Sequence, residues 1–353
     1  MNRILDIQNA LAAQELEGVL LTSPINRRFA TGFSSSAGVL VVTQGESLFV
    51  TDSRYIETAR GTVTGARVQQ IEHGESYAAI VAQFLGENSI TRLGFEEETL
   101  SQATYERYRQ KLAVELLPAG GILADLRAIK TLAEYALMQR AQAITEKTFE
   151  EILPLLTSRH TERGIAAEIV YRLMRNGAER PAFDPIVVSG PRASLPHGTP
   201  SDSALEGFIV LDFGAMYQGY CADMTRTVCI GAPTSEMRRV YDTVRCAQAA
   251  GISIARAGAI GKDVDQAARA VIEKAGYGAY FGHGFGHGLG LEVHESPRFS
   301  PNEERPLPKG AILSAEPGIY LPGRFGVRIE DTVYLTETGV EILTKTPKEL
   351  CIL

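Results

Sequence analysis

Apolar and polar positions in the first third of the chain follow two periods in turn. The stretches ILDIQNALAAQELE, SYAAIVAQFLGE and YERYRQKLAV repeat apolar residues at helical spacing, whereas GVLLT, GVLVVT and SLFVTD are short apolar runs bounded by polar or glycine residues. The first pattern predicts helices and the second strands. Interleaved in this way, they predict a small α/β domain. In PAGGILADLR a glycine pair precedes a new helical pattern, which places a division there, with one domain over 1–122 and a second over 123–353.

The second domain opens on a long amphipathic pattern, KTLAEYALMQRAQAITEKTFEEILPLL. It continues through a strand-rich middle, two helical patterns in SEMRRVYDTVRCAQAAGISIARAG and KDVDQAARAVIEKAG, and a strand-rich end. No repeat and no low-complexity segment interrupts it. Histidines and acidic residues inside apolar strands occur only in this half, so the chemistry is expected there.

Composition narrows the class. Apolar residues make up 44% and charged residues 22%, ordinary values for a globular chain, and no apolar run is long enough to suggest a membrane span. The formal charge of −7 argues against a nucleic-acid partner, which would call for a basic face. The amino terminus lacks the basic start, apolar centre and small-residue cleavage site of a secretory leader, so a cytoplasmic location is expected. Cys221, Cys229, Cys246 and Cys351 form no CxxC pair and read as reduced thiols.

Three segments carry candidate chemistry. In FGHGFGHGLGLEVHE, glycine stands at every second position from Gly282 to Gly290. A helix would bear about 1 kcal/mol for each of them, so extended chain is expected. A period of two then puts His283 and His287 on one face and lets another backbone approach the glycine face. His294 and Glu295 follow. In GFIVLDFGAMYQGYCADMTRTVCIG, two apolar runs flank Gln218 and Gly219 and predict a hairpin. Tyr217 would face Tyr220 and Asp212 would face Thr225, with Asp212 and Asp223 as diagonal neighbours on one face. Two carboxylates there repel unless a positive charge lies between them. In KGAILSAEPGIYLPGRFGVRIEDTVYLTETG, Glu316 ends an apolar run before a Pro-Gly step, and Glu330 shares the face of Arg328, with which it could also simply pair.

Together these segments offer Asp212, Asp223, His287, Glu316 and Glu330. Such an oxygen-dominated set suits divalent manganese, cobalt, iron or zinc, and four carboxylates ask for about two ions. Paired ions that activate water and polarise a carbonyl belong to hydrolases.

The ordered motifs DFGAMYQGYCADMTRT, HGFGHGLGLEVHE, EPGIY and GVRIEDTVYLT resemble the signature set of the pita-bread metallopeptidases. These include aminopeptidase P, prolidase and, more distantly, methionine aminopeptidase and creatinase. The likeness covers the chain from about Lys130 onward. LTSPINRRFATGF also resembles the smaller domain of the aminopeptidase P and prolidase branch. The resemblance implies a mixed α/β (α+β) protein, with a small amino-terminal α/β domain before a pita-bread catalytic domain. It implies a peptidase that removes the amino-terminal residue from peptides with proline second, acting on small peptides as a homodimer.

By the same likeness Asp212 would bind one ion, Asp223 and Glu330 would bridge two, and His287 with Glu316 would complete the second. Manganese or cobalt comes first, with zinc or iron as alternatives. Glu316 would also be the general base toward a bridging water, whose hydroxide would attack the scissile carbonyl. His197 and His294 resemble the pair that hydrogen-bonds the substrate and its tetrahedral intermediate. His283 would line the pocket for the residue after the scissile bond, beside Tyr320 and Arg328. His73 and His160 match no motif and read as surface residues. A methionine-type aminopeptidase is the main alternative, because it shares the metal chemistry. A creatinase-like hydrolase or a non-catalytic binding module would need fewer of these residues.

Overall fold

The computed structural model describes residues 3–353; Met1 and Asn2, the start of the stretch read for a leader, lie outside them. The chain divides into two compact units after Arg127. The helix Gly120–Ala128 runs across the position at which the sequence pattern places the division.

In the first unit, six strands form one mixed sheet around Gly18–Leu21, which lies antiparallel to Val39–Thr43 and parallel to Arg92–Phe95. The two strands Val39–Thr43 and Ser47–Thr51 are buried at every position, so both sheet faces are covered and the apolar runs need no polar alternation. The helices Pro24–Thr31, Tyr77–Glu87 and Gln102–Lys111 each begin after a serine whose hydroxyl accepts a backbone N–H of the first turn. Leu20, Val41, Leu48, Val81, Phe84 and Leu93 form the core between sheet and helices.

The second unit has two helix pairs, each backing a sheet. The helix Leu132–Ile152, opened by a Thr131/Glu134 capping box, packs with Glu162–Arg175 on the antiparallel strands Ile186–Ser189, Phe208–Phe213 and Met224–Cys229. The helices Ser235–Ile254 and Gly261–Lys274 pack over the strands Ile312–Ala315 and Asp331–Leu335 of a five-stranded antiparallel sheet. Val240, Tyr241, Val244, Ala247, Gln248 and Gly251 are the buried stripe of the first of these helices, with one polar side chain among them. No helix among the described residues is long and apolar enough to cross a membrane.

Candidate active site

Asp212 and Asp223 reach the site on the expected hairpin. Gln218 and Gly219 both take positive φ, at 46° and 82°, the signature of a two-residue type I′ loop. Tyr217 then pairs with Tyr220, and Asp212 with Thr225. Gly214 is where the hairpin kinks: a Cβ there would lie 1.7 Å from the Ala222 carbonyl oxygen, so only glycine admits this approach.

The glycine-rich segment departs from plain alternation. Only Gly286–Gly288 is strand, and the chain bends at His283 and Phe285. A period of two would put Phe285 on the face of His283 and His287. Instead Phe285 is fully buried in the core beside Phe299, while both histidines line a cavity of 460 Å³. The predicted role of the glycines is met, since a Cβ on Gly286 would lie 2.0 Å from the Ser314 carbonyl oxygen.

Asp212, Asp223, His287, Glu316 and Arg328 all line that cavity, together with His197, His283 and His294. Glu330 lies behind its wall at 1% exposure. The ligand atoms of Asp223, His287 and Glu330 all lie within 4.8 Å of one another. The His287 Nδ1 faces the Gly288 carbonyl at 3.2 Å, and a carbonyl can only accept, so Nδ1 is protonated and Nε2 is turned inward. Nε2 lies 3.0 Å from Glu316 Oε1 and 3.7 Å from Asp223 Oδ2. Glu316 Oε1 also accepts from the Ser314 hydroxyl, which itself accepts the His287 backbone N–H, so a single serine links the Glu316 carboxylate to the main chain that carries the imidazole.

Charge here is unbalanced. Burial, followed by the neighbouring Glu330 charge, pushes the Asp223 carboxyl well above the ordinary range. Burial and the Glu316 charge do the same to Glu330. Burial also opposes ionisation of Glu316, but its hydrogen bond and charge attraction to His287 outweigh that and hold it down at about 2. One oxygen each of Asp212, Asp223 and Glu330 is buried without a hydrogen-bond partner. Buried carboxylate oxygens left bare are costly, and a divalent cation is the partner such a set fits. The set therefore passes as a metal site on its own geometry.

Arg328 answers part of that charge. Its guanidinium donates to Thr225 Oγ1 at 3.1 Å, Pro196 O at 3.1 Å, Tyr320 Oη at 2.9 Å and Asp212 Oδ2. The Tyr320 hydroxyl passes its own proton toward His283 Nε2 at 2.9 Å, while His283 Nδ1 donates to Gly284 O. Tyr320 thus stands behind His283 and away from the cavity wall, and Arg328 pairs with Asp212 in place of Glu330. The His294 ring meets His287 edge-on at 4.3 Å and is exposed, as is His197. Partial burial on the side facing the cavity, followed by the charge on His287, lowers the His294 pKa. His73 is exposed; His160 is half-buried, with Nδ1 3.2 Å from Thr157 Oγ1.

Among the cavity residues that escaped the sequence pattern is one cation. Arg298, in the strand Glu295–Phe299, lines both this cavity and a second opening that shares His283, Gly284 and Ser300. It reads from sequence as an ordinary outward strand position. Its guanidinium makes no ion pair among the described residues.

Two family descriptions match this chain: "Metallopeptidase family M24" over residues 136–337 and "Creatinase/Prolidase N-terminal domain" over residues 3–129. A Xaa-Pro dipeptidase of Pyrococcus furiosus is 38% identical over 95% of both chains. Among solved structures, a Xaa-Pro dipeptidase from Bacillus anthracis superposes with a TM-score of 0.95 at 38% identity, covering 99% of each chain. An X-Pro aminopeptidase from Thermotoga maritima gives a TM-score of 0.91 at 35% identity, covering 98% of this chain and all of the other.

Proposed function

The chain belongs to metallopeptidase family M24, and from that membership and the site's geometry we propose that it hydrolyses the bond before proline in short peptides, releasing the amino-terminal residue. The observation that carries the proposal is the bare carboxylate oxygen on each of Asp212, Asp223 and Glu330, gathered beside His287 at and just behind one cavity wall. The names of the similar proteins supply the proline preference.

Asp212, Asp223, His287, Glu316 and Glu330 would hold two divalent ions. Manganese or cobalt suits their oxygen-rich donors. Bound there, the ions supply Lewis-acid polarisation of the scissile carbonyl and a water acidic enough to attack at neutral pH. Glu316 is ionised at neutral pH and accepts the proton from the attacking water, with Ser314 and His287 fixing Oε1. His294 and His197 stand at the cavity mouth and donate to the substrate carbonyl oxygen as charge develops on it. Arg328 keeps Asp212 oriented, and His283, backed by Tyr320, forms the wall that the proline ring would meet.

Arg298 bears on substrate length. An unpaired cation on the wall suits the free carboxylate of a dipeptide, which favours the dipeptidase reading. The adjoining opening, also of 460 Å³, gives room for a longer chain and is the specific support for an aminopeptidase. Hydrolysis of a panel by metal-stripped protein with manganese or cobalt restored decides between them. The panel holds an Xaa-Pro dipeptide, an Xaa-Pro tripeptide, a Met-Ala tripeptide and an Xaa-Ala control. Metal-dependent cleavage confined to the Xaa-Pro members supports the proposal; preferential cleavage of Met-Ala replaces it with a methionine-type activity. A homodimer is part of the same proposal and is read by sedimentation.

A further inference from the structure

Glu316 and Glu330 face each other across a break in one long antiparallel ladder. Ala315 lies opposite Asp331 on one side of the break and Gly318 opposite Arg328 on the other. The register therefore runs through without a shift and sets Glu316 against Glu330. At that point the two strands do not bond to each other. Pro317 has no N–H to give. The Glu316 N–H turns away to Phe285 O at 2.8 Å, and the Glu330 N–H to Thr225 O at 3.1 Å. With no ladder bond between the strands at this point, the width of the opening needs a separate restraint.

Gln248 supplies one. It lies in the buried stripe of the helix Ser235–Ile254 and is 0% exposed. Its Nε2 donates to Ala315 O at 3.1 Å and to Ile329 O at 3.4 Å. These carbonyls belong to the residues immediately before Glu316 and Glu330. Two acceptors fix the amide with its nitrogen toward the strands, and Oε1 is left buried without a partner. An apolar residue in that stripe would avoid the bare oxygen, so stability alone does not account for glutamine there. The helix also sits at a fixed depth nearby, because a Cβ on Gly251 would come within 2.4 Å of the Phe285 ring.

We propose that Gln248 is a positioning residue that clasps the Ala315 and Ile329 carbonyls and so sets the spacing of the Glu316 and Glu330 carboxylates for divalent ions. The inference rests on the assignment of those two glutamates as ligands. It assigns to a neutral helix residue, remote from the cavity wall, control over metal affinity.

The test is calorimetric titration of manganese into the metal-free full chain. Gln248→Met keeps the side-chain volume and removes the donor, and it weakens manganese binding by about ten- to a hundredfold, as loss of an outer partner commonly does. Val244→Ala, one turn earlier on the same helix face, loosens the core without touching either carbonyl and leaves the affinity unchanged. Wild-type affinity in Gln248→Met, or an equal loss in Val244→Ala, overturns the proposal. Should Gln248→Met prove insoluble, Gln248→Asn carries the same expectation and the same refutation, since it draws the amide back by one methylene. A wild-type chain that takes up no manganese would sink the metallopeptidase reading and this inference together; wild-type affinity in the glutamine variants sinks this inference alone.

Discussion

Arg328 holds one carboxylate oxygen of Asp212, and the other, Oδ1, is buried with no donor. The same guanidinium serves Thr225, Pro196 and Tyr320, so one side chain ties a proposed metal ligand to three further parts of the second unit. Only a planar fork with five donors can do this; an ammonium offers three donors from a point. Arg328→Lys is therefore expected to fail as a replacement. Arg328→Met leaves Asp212 without its cation at 8% exposure, and removing one partner of a buried pair costs about 3–5 kcal/mol. Urea unfolding of the metal-free proteins measures this, and a midpoint for Arg328→Met equal to wild type would contradict it.

The raised carboxyls of Asp223 and Glu330 predict how metal binding depends on pH. Burial comes first for both, followed by the charge of Glu330 on Asp223 and of Glu316 on Glu330. A group whose pKa rises on folding binds its proton more tightly in the folded chain. Its contribution favours the folded state at low pH and is lost as pH rises through the folded value. A bound ion takes the place of those protons, so its uptake releases them. The rise in melting temperature on adding manganese should thus be larger near pH 8 than near pH 6. A thermal-shift series at the two pH values checks this, and equal rises would mean that neither carboxyl holds a proton that the ion displaces.

Metal content separates the ligands from the flanking histidine. Asp223→Ala and Glu330→Ala are each expected to abolish activity and to lose at least one ion, because both are proposed to bridge. His294→Ala is expected to lower turnover by about a hundredfold or more, the scale of a lost oxyanion donor, with metal content intact. Metal analysis beside the peptide assay reads both. Two ions retained in Asp223→Ala would remove its bridging role, and ions lost from His294→Ala would make that histidine a ligand.

The sequence made this site legible wherever one ladder carried the information. The hairpin around Gln218 and Gly219 has a period of two on each side, so the pairing of Asp212 with Thr225 follows from the turn alone. The glycines of the histidine segment likewise announced a close backbone, which Gly286 and Ser314 provide. What stayed hidden depends on contacts between ladders. Arg328 could equally have paired with Glu330 two positions on, and only the packing of its strand against Phe208–Phe213 turns it to Asp212. Phe285 left the face of its neighbouring histidines because bends at His283 and Phe285 broke the alternation, and the core beside Phe299 accepted its ring. Gln248 reads as one polar residue in an apolar stripe, with no periodic signal for the carbonyls it meets.

Arg298 offers the cleanest separation of dipeptidase from aminopeptidase. It lines the main cavity and the second opening beside it, is exposed, and pairs with no carboxylate among the described residues. A charged hydrogen bond to a substrate carboxylate contributes about 1.5–3 kcal/mol, which is about ten- to a hundredfold in affinity. Arg298→Gln is therefore expected to lower kcat/KM for an Xaa-Pro dipeptide by that factor, mainly through KM, because the carboxylate is bound equally before and during reaction. An Xaa-Pro tripeptide amide places no carboxylate after proline and should lose little. Metal content should not change, since Arg298 touches none of the proposed ligands. Equal losses on both peptides would mean that Arg298 serves the cavity as a whole, and a selective loss on the amide would place the peptide's carboxylate elsewhere.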